Sequence, residues 1–167
     1  MNYRNYDPAK DREAAQRIWH ETGWVEPGKK EHEECMDLMV SAGRALVVDI
    51  HGEPECLVIT APAAMRYLGE SLTLSACTGV TTSRIARKQG FAKRLAAQAV
   101  ALDVADGATV ASLSMFEQGY YNQIGFGTCD YERWMSFDPA SLNVHVRPRV
   151  PHRLKVDHFE AIHAARH

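Results

Sequence analysis

Three consecutive stretches of the chain restrict its fold more than any others. Ser71 to Thr82 (SLTLSACTGVTT) reads as a long strand. After Gly90, residues Phe91, Leu95, Ala99 and Leu102 recur at helical spacing through Ala-rich sequence until Asp106-Gly107 stops them. Ala108 to Met115 (ATVASLSM) then reads as a strand again. A strand–helix–strand crossover of this length is a βαβ unit, so the two strands are expected to be parallel and their connection right-handed. Gly79 inside the first strand predicts a bulge or a close backbone approach.

Upstream, the texture is antiparallel. Tyr3 to Tyr6 is a short strand candidate, and a helix follows from Asp7-Pro8 or Asp11, with Ala14, Ala15, Ile18 and Trp19 on one face and Gly23 as its end. A second helix is predicted from about Lys30, with Cys35, Leu38, Met39 and Ala42 as its apolar face and Gly43 as its stop. Ala45–Ile50 and Cys56–Thr60 read as a hairpin, joined to the long strand by a Pro- and Gly-containing connection from Ala61 to Gly69. Downstream, a short helix from Glu117 to Ile124 ends at Gly125, and Tyr131 to Phe137 is the last clear strand. Asn143 to Val146 could pair as another strand, Arg147 to Pro151 is linker-like, and Lys155 to Arg166 looks like the beginning of a helix. The expectation is a mixed α/β single domain over residues 1–142 with a C-terminal tail, 143–167.

A chain of 167 residues suits one core, and a formal net charge of −2 argues against general nucleic-acid binding. The N-terminus lacks a signal-type apolar run and no stretch is long enough for a membrane span, so a cytoplasmic protein without membrane attachment is expected. Cys35, Cys56, Cys77 and Cys129 are widely separated and read as reduced and mostly buried. His163 and His167 sit four apart, but two ligands do not make a metal site, and none is expected. Homo-oligomerisation is left open.

Against that near-neutral background, Arg84, Arg87, Lys88, Lys93 and Arg94 cluster at the strand-to-helix junction, and no Asp or Glu occurs between Glu70 and Asp103. The amides at a helix N-terminus lack intrahelical partners and carry the positive end of the dipole, so this junction is an anion cradle. Gly90 and Ala92 keep it open to a phosphate. A P-loop is excluded because no second glycine is correctly placed, and a Rossmann fingerprint because the one G-x-G, Gly125-Phe126-Gly127, follows a helix.

Arg87-Lys88-Gln89-Gly90-Phe91-Ala92 resembles the R/Q-x-x-G-x-G/A signature of the GCN5-related N-acetyltransferase (GNAT) superfamily, and Tyr120–Phe126 (YYNQIGF) resembles its F-Y-x-x-x-G-F segment. The resemblance implies the GNAT fold: a central, mostly antiparallel sheet whose parallel pair splays apart beyond Gly79 at an acetyl-CoA site. It implies a pyrophosphate on the amides of Lys88 to Lys93, including Gln89, Phe91 and Ala92. The pantetheine arm would pair with Val80, Thr81 and Thr82, and Phe116 and Glu117 would border the slot. Arg84 and Arg94 are left for CoA's outer phosphate. It further implies Tyr121 as general acid to the leaving thiolate, with Tyr120 packed in the core.

Acetyl transfer needs a neutral amine, a stabilised oxyanion and a proton for the thiolate. Backbone N–H groups near Val80 suit the oxyanion. No general base stands out: Glu117, Glu26, His20 and Glu132 are candidates, and water is an alternative. Cys77 raises a covalent route, but no His pairs with it in sequence. The SRIARKQGFAKRL, MFEQGYYNQIGFG and FDPASL runs look like the N-terminal domain of Eis-like proteins. Such proteins continue into further domains, so the chain reads as a possible fragment of a longer protein. The expectation is an acetyl-CoA-dependent N-acetyltransferase that moves an acetyl group directly to a small-molecule or peptide primary amine. The alternative is an acyl-CoA-binding sensor, or a non-catalytic module of a larger assembly.

Overall fold

A computed structural model describes residues 1–114, 119–129, 133–143, 145–147 and 149–165. Its first strand, β1 (Asn2–Asn5), leads into α1 (Pro8–Thr22). The Asp7 side chain accepts from the Ala9 N–H to start α1, Pro8 occupies its first turn, and Gly23 at φ 79° closes it. The second helix, α2 (Lys30–Ser41), runs into β2 (Arg44–Ile50). Strands β3 (Glu53–Tyr67) and β4 (Glu70–Thr82) form one long hairpin. The helix α3 (Phe91–Ala105) then crosses over to β5 (Val110–Ser112).

These strands form a single sheet in the order β1-β2-β3-β4-β5, antiparallel up to β4. The pair β4–β5 is parallel, as the strand–helix–strand pattern requires, with Leu74 opposite Val110 and Ala76 opposite Ser112. The bulge expected at Gly79 is present. Ile59 pairs with Gly79 but Thr60 pairs with Cys77, so Thr78 is the extra residue.

Both faces of the sheet are covered, and the period-2 alternation of β2 and β3 sorts their side chains between two cores. Leu46, Val48, Cys56 and Val58 pack with Cys77 against Phe91, Leu95, Ala96 and Ala99 of α3. Val47, Leu57 and Ile59 pack against Ala15, Ile18 and Trp19 of α1, with Val25 and Met36. Leu57 and Ile59 are 0% exposed, a burial that contributes about 2 kcal/mol for each such side chain. Arg4 ties β1, α1 and β2 together through two forked contacts, to Asp11 at 2.6 and 2.8 Å and to Asp49 at 2.7 and 2.9 Å.

Several expectations are corrected. The stretch from Ala61 to Gly69 is not a connection: β3 runs on to Tyr67, Met65 opposes Leu72, and the turn is Leu68-Gly69 alone. Leu68 (φ 47°) and Gly69 (φ 92°) are both left-handed, which matches the twist of a two-residue hairpin. On α2, Met36 is the buried residue and Met39 packs against the same core as expected, whereas Cys35 and Leu38 face solvent. Only two of the cysteines, Cys56 and Cys77, are buried, and Cys129 is exposed like Cys35.

Gly43 does more than follow a helix. A Cβ there would lie 2.0 Å from the Thr60 carbonyl oxygen, so the backbones of β2 and β3 meet at that point only because the side chain is absent.

In place of the helix from Glu117 to Ile124, a 3-10 turn spans Tyr121–Ile124, with Gly125 left-handed after it. Glu117 itself lies outside the described residues. Arg133 to Phe137 form no strand, and Tyr131 and Glu132 lie outside the described residues. No strand forms at Asn143, His145 or Val146 either. The expected terminal helix is short, α4 (Phe159–Ala164) after a 3-10 turn at Val156–His158.

The chain divides into two compact units, Met1–Thr128 and Cys129–His167. The first holds the whole sheet with α1, α2 and α3; the second holds α4 and two 3-10 turns. Among the described residues no helix is long and apolar enough to cross a membrane.

Candidate functional site

Pairing between β4 and β5 ends at Ala76 and Ser112. From Cys77 to Thr82, β4 therefore keeps its bonds to β3 on one side and has no strand on the other, among the described residues. Unpaired N–H and C=O groups along such an edge are ready to accept an extended ligand.

Just beyond this edge the chain makes a 3-10 turn, Arg84–Ala86, and enters α3. Lys88 (φ 63°) and Gly90 (φ 79°) are both left-handed there. A side chain at Gly90 would meet nothing within 4 Å, so glycine is required by the backbone angle rather than by crowding from the protein. No side chain caps the N-terminus of α3. Its first amides therefore lack the usual intramolecular partner and point with the dipole at whatever approaches. Among the described residues no carboxylate forms an ion pair with Arg87, Lys88 or Lys93.

The open edge and the helix start share one cleft of about 650 Å³. Of the residues singled out by the sequence, Val80, Thr81, Thr82, Arg87, Lys88, Gly90, Phe91, Ala92 and Tyr121 line it together. Gln89 and Lys93 do not. Gln89 Nε2 donates to the Ile85 carbonyl at 3.2 Å, and Lys93 is exposed on the first turn of α3. Phe116, Glu117 and Glu132 lie outside the described residues. The other basic residues have structural partners: Arg84 Nη2 donates to the Glu21 carbonyl at 3.2 Å, and the Arg94 guanidinium stacks over the Tyr3 ring at 4.6 Å. Arg87 Nε makes a long contact, 3.4 Å, to the Thr82 carbonyl.

Tyr121 and Tyr120 meet edge to face, with ring centroids 4.9 Å apart, and Tyr121 meets Phe126 at 6.0 Å. Tyr120 also lines the cleft, and burial, with the nearby Cys56, raises its hydroxyl above the ordinary tyrosine range. Cys77 is on the wall too, where burial, helped by the Asp103 charge, pushes its thiol up to about 11. Neither His20 nor Glu26 lines the cleft.

Thr22, Trp24 and Ser114 are wall residues that sequence reasoning did not find. Trp24 is brought there by the end of α1, since the Gly23 turn lets the Trp24 N–H donate to the Trp19 carbonyl at 2.9 Å and sets the two indoles edge to face, 5.3 Å apart. An aromatic directly after a C-capping glycine was the one signal available.

The profile of the acetyltransferase (GNAT) domain family matches residues 2–129, and the chain belongs to that family. Among curated proteins none matches the chain. Solved structures share the fold. A transcriptional regulator from Bacillus halodurans C-125 aligns with a TM-score of 0.63 at 16% identity, over 81% of this chain and 99% of that one. AAC(6')-Iy in complex with the bisubstrate analog CoA-S-monomethyl-acetylneamine aligns with a TM-score of 0.66 at 12% identity, over 82% and 97%. Glucosamine-6-phosphate N-acetyltransferase from Arabidopsis thaliana aligns with a TM-score of 0.64 at 12% identity, over 82% and 98%. At such identities the likeness is one of fold.

Proposed function

We propose that the chain is an acetyl-CoA-dependent N-acetyltransferase that moves the acetyl group directly to a primary amine. The observation that carries this reading is the uncapped start of α3, with Lys88 and Gly90 left-handed, opening into the same cleft as the unpaired edge of β4 and as Tyr121. The amides of Phe91, Ala92 and Lys93, with Arg87 and Lys88, would hold the pyrophosphate. Val80 to Thr82 would hold the pantetheine arm by backbone pairing. The co-substrate supplies an activated thioester acetyl group. N–H groups near Val80 would take the developing negative charge of its carbonyl oxygen. In the overall step a C–N bond forms and the C–S bond breaks, the amine loses a proton to water, and the Tyr121 hydroxyl gives one to the departing thiolate.

The raised Cys77 supports direct transfer: with its thiol pushed up to about 11, it is protonated and a poor nucleophile at neutral pH. The glucosamine-6-phosphate and aminoglycoside N-acetyltransferases that share the fold support a small-molecule amine as acceptor. The SRIARKQGFAKRL and MFEQGYYNQIGFG runs support a place beside the Eis-like proteins.

The test is thiol release from acetyl-CoA with and without a panel of primary amines, together with acetyl-CoA affinity. Amine-dependent release is expected. Arg87→Glu combined with Lys88→Glu should raise the acetyl-CoA Kd by about tenfold or more, equivalent to ~1.4 kcal/mol. An unaltered Kd would count against the cradle. Tight binding without any amine-dependent release would favour an acyl-CoA sensor or a non-catalytic module instead.

A further inference from the structure

The cleft has two unlike walls. Val80, Phe91, Ala92 and the two tyrosines form one, on the α3 side of the sheet. The other faces α1. Thr81 is in register with Leu57, whose side chain belongs to the core under α1 and α2, so Thr81 is on that face of β4 with Thr22 and Trp24.

This second wall carries two features that the fold does not explain. Thr81 is only 4% exposed, yet its Oγ1 has no hydrogen-bond partner among the described residues. A buried hydroxyl without a partner is unfavourable until something supplies one. Trp24, 37% exposed, presents aromatic surface while its contact with Trp19 holds it in place. The charge balance is one-sided as well. No acidic residue lines the cleft among those described, whereas Arg87 and Lys88 do. Glu21, beside Thr22 in sequence, is already engaged by the Arg84 N–H and by Arg17.

Resting on the activity proposed above, we infer that this wall selects its acceptor: a primary monoamine with an aromatic or aliphatic body, and not a polycation. Trp24 packs against the body of the amine. Thr81 Oγ1 completes its hydrogen bonding with an acceptor N–H. The further ammonium groups of a polycation find no carboxylate among the described residues of the cleft, so their desolvation there is not offset.

The experiment compares 2-phenylethylamine, spermidine and neamine as acceptors at low and moderate salt. For 2-phenylethylamine kcat/KM should exceed the other two by about tenfold or more at either salt concentration. Trp24→Ala should lower kcat/KM for 2-phenylethylamine by about tenfold through KM, with the KM for acetyl-CoA unchanged; Trp24→Phe should restore most of it. Calorimetric binding of the same three amines to the CoA-loaded protein separates this inference from the activity. Preferential, Trp24-dependent binding of 2-phenylethylamine without turnover upholds the wall and sinks the activity. Turnover with neamine or spermidine at equal or better efficiency upholds the activity and overturns the wall. Equal losses for all amines in Trp24→Ala, or no binding of 2-phenylethylamine, also overturn it.

Discussion

Tyr121 stands between Tyr120 and Phe126 on a short 3-10 turn, where ring contacts restrict its orientation. That setting suits a proton donor, whose contribution depends on position more than on acidity. Tyr121→Phe should lower kcat by about a hundredfold and leave the acetyl-CoA Kd within about twofold, measured by thiol release and equilibrium binding. Unchanged kcat would remove Tyr121 from the mechanism. The YYNQIGF run made the residue visible in sequence, because the motif is local. Trp24 was not visible in the same way. Its place on the wall depends on the Gly23 turn and on Trp19, neither of which says where the end of α1 lies relative to β4.

At the scale of elements, glycines show how differently one residue type can act. Gly90 permits a left-handed start to α3, whereas the sequence reading keeps a glycine there for the close approach of a phosphate. Gly43 was read as a helix stop, whereas its larger role is contact between strands. Gly43→Ala would force a methyl to within 2.0 Å of a backbone oxygen on β3, and one of the two strands must move. We expect a loss on the order of 3 kcal/mol, read from chemical denaturation; a variant within about 0.5 kcal/mol of the parent would refute the close approach. The length of β3 was missed for a related reason. Pro62 looks like a breaker in a linear reading, but Ala63, Met65 and Tyr67 gain partners from β4, and pairing across a hairpin overrides a local signal.

For the molecule as a whole, the Arg4 bridge is a polar contact that joins three elements, β1, α1 and β2. Asp11 is 1% exposed; burial works to raise its carboxyl, but the hydrogen bonds from Arg4 and the Asp7 N–H outweigh it and hold the group below the usual carboxylate range. A lowered carboxyl contributes stability above its unfolded value of about 4, and that contribution is lost as pH falls through the lower folded value. Asp103 adds to the same acid limb, since the hydrogen bonds from Ser75 and Arg44 overcome the effect of burial. Stability should therefore be flat from pH 7 to about 5 and fall below about 4, with a shallower fall in Asp11→Asn, as measured by denaturant midpoints. Identical acid limbs in the two proteins would exclude this role. Arg4→Met should lower stability by about 3 kcal/mol at pH 7, because it strands the Asp11 charge.

The sequence alone determined the order of elements as far as β5, the parallel crossover, the bulge at Gly79 and the start of α3 after Gly90. Each follows from local periodicity, turn chemistry or helix-end electrostatics, which a linear reading contains. Tertiary structure decided the rest: how far β3 extends, which face of α2 is buried, why Gly43 must lack a side chain, and that Thr22 and Trp24 join Thr81 on an uncharged wall. Those depend on distances between segments far apart in the chain. The basic junction is therefore where we propose that the donor binds, while the wall proposed to discriminate among acceptors is assembled by folding.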